Sequence, residues 1–150
     1  MLRKSLLIVV ALSALTASSA FASTHEASTV AVGGYDVITY FDNKRPVRGS
    51  GHFVSEYDGA TYLFATPANK KKFDRNPAKY APAYGGFCAY GVSVGKKFVG
   101  DPEVYRVVNG TLYLNLDASV QDLWLADSAK FIKKADKQWP QIVDKAPSQL

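Results

Sequence analysis

Few side chains in this sequence can hold a metal ion or attack an electrophile. The 150 residues include one cysteine, Cys88, and two histidines, His25 and His52. A thiolate is both a soft metal ligand and a strong nucleophile, and imidazole accompanies it in either role. Cys88 and His52 together would supply two donors, enough for copper(I), whereas a tetrahedral zinc site asks for four. Asp36, Asp101 and Glu103 could add oxygen donors, although nothing in their spacing requires it. The opposing expectation for Cys88 is burial, because it stands between Phe87 and Ala89 in a core-like stretch and free cysteine is among the most buried residue types. For His52, which follows Gly49-Ser50-Gly51, the opposing expectation is an isolated surface imidazole.

A Cys–His pair also suggests nucleophilic catalysis, which needs a third group to orient the base and an oxyanion hole. The sequence has no local signature of either, and its carboxylates are scattered. The glycine and lysines of residues 91–97 lack the phosphate-loop spacing. The expectation is therefore a non-catalytic binding module. A protein-interaction scaffold in which Cys88 is purely structural is one alternative, and a thiol-dependent enzyme using Cys88 is another.

The role of His25 depends on where the mature chain starts. Arg3 and Lys4 precede a short apolar run from Ser5 to Leu15, and small residues then lead to Ala20-Phe21-Ala22. This is the layout of a removable secretory signal over residues 1–22. The run is too short to span a bilayer, so stable membrane insertion after cleavage is not expected. The expected location is periplasmic or secreted. Cleavage after Ala22 would leave Ser23-Thr24-His25 at the amino terminus. The free amine, two backbone amides and the imidazole of residue three can wrap a square-planar copper(II) or nickel(II) ion. His25 therefore joins Cys88 and His52 as a candidate metal ligand, with copper or nickel as the candidate ion.

Losing Arg3 and Lys4 with the signal lowers the net charge from +5 to +3. Lys70-Lys71-Lys72 and Lys133-Lys134 read as solvated helix faces, and no basic stripe interleaved with aromatics argues for nucleic acid. A single cysteine excludes an internal disulfide, so the core alone must hold the domain. With 9 Tyr and 8 Phe, it has the material.

The elements expected to position these groups follow a lead-in over residues 23–32, with the domain over residues 33–145. Tyr35 to Phe41 is β-branched and aromatic and predicts a strand. Phe53 to Tyr57 and Ala60 to Ala65 flank Asp58-Gly59, a hairpin signal. Alternation puts Phe53 and Tyr57 on one face and His52, Val54 and Glu56 on the other. Thr66-Pro67 opens a helix ending near Arg75, a short turn runs through Tyr80, and Phe87 to Val94 suits a short buried helix. Val104 to Val108 and Thr111 to Leu116 form a second hairpin around Asn109-Gly110, with Leu112, Leu114 and Leu116 along one face. Asn109-Gly110-Thr111 also fits a glycosylation acceptor, but the turn already accounts for it. Asp117 caps one helix, Ser128 starts another, and Pro140 is expected to end it. The halves share a hairpin-then-helix order without a residue-level repeat. The fold class is α+β: a small single domain with two β-hairpins and several short helices.

Gly34-Tyr35-Asp36-Val37, Tyr57-Asp58-Gly59-Ala60-Thr61-Tyr62, Asn76-Pro77 to Tyr80 and Tyr84-Gly85-Gly86-Phe87-Cys88-Ala89-Tyr90 occur in that order, followed by Leu112-Tyr113-Leu114-Asn115 and Trp124. In these blocks the chain resembles the exported YHS-domain family over nearly all of its mature length. The resemblance implies a small α+β fold and, by association, metal handling. The chain has no contiguous Tyr-His-Ser. Where cysteine-rich members carry further thiols, it reads Asp36-Val37-Ile38 and Leu63-Phe64-Ala65 to Asn69. The resemblance therefore implies the fold and leaves a thiolate cluster unsupported.

Overall fold

Two β-hairpins carry the architecture, each entered through a glycine-rich turn and followed by helices. The computed structural model describes residues 29–42 and 45–150; the secretory signal expected at residues 1–22 and His25 fall outside them. Strands β1 (Ser50–Tyr57) and β2 (Ala60–Phe64) pair antiparallel, as do β3 (Asp101–Val108) and β4 (Thr111–Asn115), in two separate two-stranded sheets. Helices α1 (Pro67–Arg75) and α2 (Pro77–Tyr80) follow the first hairpin, and α3 (Ala89–Ser93) precedes the second. Helices α4 (Ala118–Leu125) and α5 (Ser128–Ile142) close the chain. The α+β class with two hairpins and short helices is the one the sequence predicts.

Local chemistry explains most boundaries. Asp58-Gly59 and Asn109-Gly110 take positive φ at both residues, as two-residue hairpin turns favour. Thr66 Oγ1 accepts from Asn69 N–H at 3.1 Å and Asp117 Oδ1 from Val120 N–H at 2.9 Å, capping α1 and α4. Phe53 and Tyr57 turn inward while His52, Val54 and Glu56 face solvent.

Three local expectations give way. Tyr35 to Phe41 is not a strand; Val37–Phe41 is a 3₁₀ turn, because the Asp36 side chain accepts from Ile38 N–H and winds the chain so that Val37, Ile38 and Tyr40 are all buried. Leu116 lies beyond β4 and is exposed, so the apolar face ends at Leu114. Pro140 lies inside α5, which continues to Ile142; the missing N–H affects one position, and Val143 N–H still reaches the Trp139 carbonyl at 2.9 Å.

The largest departure is a repeat that runs residue by residue. Ala31-Val32-Gly33-Gly34 and Ala83-Tyr84-Gly85-Gly86 form the same turn, with positive φ at the last three residues of each. Tyr35 then bridges to Arg48, and Phe87 to Val99. Asp36 N–H donates to the Val47 carbonyl at 2.9 Å, and Cys88 N–H to the Phe98 carbonyl at 2.8 Å. Gly49 N–H donates to Gly34, and Gly100 N–H to Gly86. Both first strands carry a register shift, between Ser50 and Val54 and between Asp101 and Tyr105. The sequence conceals the repeat because contacts are kept while side chains change: Asp36 answers to Cys88, and Phe73 to Trp124.

Two cores result. One gathers Val37, Ile38, Tyr40, Phe64, Phe73 and Tyr80 with Leu112 and Leu114 from β4. The other holds Tyr84, Ala89, Val92, Trp124 and Ala135 with Tyr113 from the opposite face of β4. Lys97 fastens the far end: its ammonium donates to the Val143 and Lys145 carbonyls at 2.6 and 2.7 Å and lies over the Phe87 and Trp139 rings.

Two measurements test this packing. A Cβ on Gly49 would lie 2.3 Å from the backbone carbon of Leu63, whereas one on Gly51 would meet nothing. Gly49→Ala should lose about 2 kcal/mol or more in urea unfolding, and Gly51→Ala should stay within about 0.5 kcal/mol. The second concerns pH. Burial, helped by the nearby Asp58 charge, pushes Tyr62 up to about 12 from the ordinary 10.0. Burial also raises Tyr40 and Tyr84, the latter assisted by its bond to Asp136. The folded state thus keeps protons that the unfolded chain releases above pH 10, so stability should be level below pH 10 and fall as pH rises towards 12. Urea midpoints across that range, beside tyrosinate absorbance, check the sign.

Candidate functional site

Asp36 and Cys88 occupy the same place in the two halves, each just after the glycine turn and capping the next short helix. Asp36 has no exposed surface, yet its carboxylate is well supplied with donors. Oδ1 accepts from Ile38 N–H at 3.0 Å; Oδ2 accepts from Ala65 N–H at 2.8 Å and Asn69 Nδ2 at 2.7 Å. It thereby ties the 3₁₀ turn to the end of β2 and to α1. A carboxylate so occupied has a structural task and little capacity left for a metal ion.

Cys88 is equally sealed, at 0% exposure. Its Sγ accepts from Gly91 N–H at 3.4 Å and lies 3.8 Å from Asn115 Oδ1. A thiol without exposed surface meets no substrate in this conformation, which removes the first requirement of a thiol nucleophile. Two buried donors in the same half, Asn115 Nδ2 and Trp124 Nε1, have no hydrogen-bond partner among the described residues. Both are N–H groups, which do not ligate cations.

His52 lies on the exposed face of β1, with its backbone N–H on Ser50 Oγ at 3.2 Å. Cys88, by contrast, is enclosed between α3 and β4, so the structure does not bring the two together. His25 lies outside the described residues. The oxygen candidates are engaged elsewhere: Asp101 Oδ1 accepts from Glu103 N–H, and Glu103 Oε1 accepts from Tyr35 and Arg45. Among the described residues no group of three or more His, Cys, Asp or Glu is placed to hold a metal ion.

A different feature emerges where the halves meet. The turns at 31–34 and 83–86 come together beside the tip of the first hairpin and leave a groove of about 390 Å³. Val30, Val32, Tyr62, Phe87 and Val99 give it apolar walls, and the hairpin tip at Asp58-Gly59 forms one rim. Sequence reasoning had no route to it, because Val30 and Gly100 become neighbours only through the repeat. The one available signal was the recurrence of Ala-x-Gly-Gly at 31–34 and 83–86.

The equivalence of Asp36 and Cys88 yields an unequal pair of outcomes. Asp36→Ala should cost about 3 kcal/mol or more, since one buried and two half-buried donors lose their acceptor. Cys88→Ala should cost about 1–2 kcal/mol, for a small cavity and two weak sulfur bonds. Denaturant unfolding of both variants decides; equal losses would contradict the assignment of Asp36 as the tie between elements.

Residues 38–84 match the sequence model of the YHS domain. No curated protein and no solved structure matches the chain. The match begins in the 3₁₀ turn after Asp36, takes in the first hairpin, α1 and α2, and ends at the second glycine turn. It therefore covers most of the first of the two repeated units, and the chain carries at residues 38–84 a region similar to the YHS domain.

Proposed function

We propose that this chain is an exported, non-catalytic binding module whose ligand sits in the groove between its two halves. One observation carries the reading: both repeated turns and the first hairpin tip converge on a concavity of about 390 Å³, within the size range of small-molecule sites. Glycine backbone forms much of its surface, so a ligand can approach main-chain amides that side chains would otherwise cover. A fragment screen read by amide chemical shifts tests this. Hits should converge on Gly33, Gly59, Gly86 and Gly100; hits scattered over the surface would sink the reading.

Transition-metal handling is the second reading, favoured by the YHS match and by Ser23-Thr24-His25. Its donors are His25 with the new amino terminus for copper(II) or nickel(II), and Cys88 or His52 for copper(I). Copper and nickel titrations of the chain starting at Ser23 should show one tight site, lost when residues 23–25 are removed and kept in His52→Ala and Cys88→Ala. Unchanged binding without residues 23–25 would exclude the amino-terminal clamp, and loss in Cys88→Ala would move the site to the thiol.

A further inference from the structure

The groove carries a charge signature opposite to that of the chain. The sequence holds 18 Lys and Arg against 13 Asp and Glu, yet among the described residues no Lys, Arg or His lines the groove. The one carboxylate among its described lining residues is Asp58 at the hairpin rim. Among the described residues Asp58 has no ion-pair partner, since Asp and Glu pairing is confined to Glu103, Asp74 and Asp42. The opposing walls are apolar and aromatic, with Tyr62 and Phe87 among them. Tyr62 lies close enough to Asp58 for the carboxylate to add to the burial that raises its phenol.

We infer that the groove takes a small organic monocation, an ammonium group on an apolar body, with Asp58 as its counter-ion and Val30, Val99 and Phe87 against the body. The inference rests on the groove being the ligand site. An ammonium group is recognised by a carboxylate at the rim and by aromatic faces, and its hydrocarbon body gains by leaving water. An anion would meet Asp58 with no positive side chain to offset it. A hydrated metal ion would find one carboxylate and walls unable to replace its water shell.

The hairpin supplies its own control. Asp58-Gly59 and Asn109-Gly110 are the same turn, with φ of 49° and 73° in the first and 51° and 78° in the second. Asp58→Asn therefore installs the residue pair that already turns the other hairpin, and removes the charge without disturbing the backbone.

The test is an amide-shift titration of the purified chain with three probes of one shape: phenethylammonium, 2-phenylethanol and phenylacetate. Phenethylammonium should shift Gly33, Gly59 and Gly100 and bind about threefold more tightly than the alcohol, the scale of one partly exposed ion pair. Phenylacetate should bind more weakly than either. Asp58→Asn should bring the amine down to the affinity of the alcohol. In the unaltered chain, raising the salt should shrink the amine's advantage, a readout that requires no variant. Equal binding of amine and alcohol in the groove, or preference for phenylacetate, overturns the cation assignment while leaving the groove as the ligand site. No shift at any groove amide with any probe overturns both.

Discussion

Strand β4 is buried on both of its faces, and the rest of the molecule is arranged around that fact. Its alternation sends Leu112 and Leu114 into the core of the first half and Tyr113 into the core of the second, where the ring lies 5.5 Å from that of Trp124. A two-stranded hairpin is marginal on its own, so each hairpin needs a covering layer. Here one strand contributes to two layers at once. The dependence is one-sided: the first core borrows two leucines and packs against Tyr105, while the second draws on its own half alone.

This asymmetry gives the YHS match a physical setting. The matched segment, 38–84, includes the first hairpin and its helices but not Leu112 or Leu114. Those side chains come from the unit that repeats its fold. The repeat thus does more than enlarge the molecule, because the second unit completes the first and leaves a groove where their glycine turns meet. Equivalent positions nevertheless do different work in the two units. Asp36 binds three donors across three elements, whereas Cys88 in the same place makes only weak sulfur bonds to Gly91 and Asn115, beside two donors that have no partner among the described residues.

Much of this fold was legible because its signals are local. Asp58-Gly59, Asn109-Gly110, Thr66-Pro67 and Asp117 each set a turn or cap within a few residues, and the structure keeps all four. Tyr35 to Phe41 misled because its β-branched and aromatic composition reports burial as readily as strand, and a buried carboxylate decided the backbone. Pro140 misled because a helix with a strongly apolar face tolerates one missing bond. The burial of Cys88 followed from its neighbours, but the groove did not follow from anything nearby. It is made of main chain brought together by long-range contacts, and main chain leaves no residue-type signature.

Lys97 has a consequence for how the molecule comes apart. The final turn of a helix ordinarily frays, since its carbonyls lack partners and nothing holds them. Just beyond α5 the Val143 and Lys145 carbonyls close on the ammonium of Lys97, a residue only 8% exposed, which also lies over the Phe87 and Trp139 rings. Fraying would strand that charge against aromatic surface in the second core. The tail therefore melts with the core, as part of the same cooperative unit.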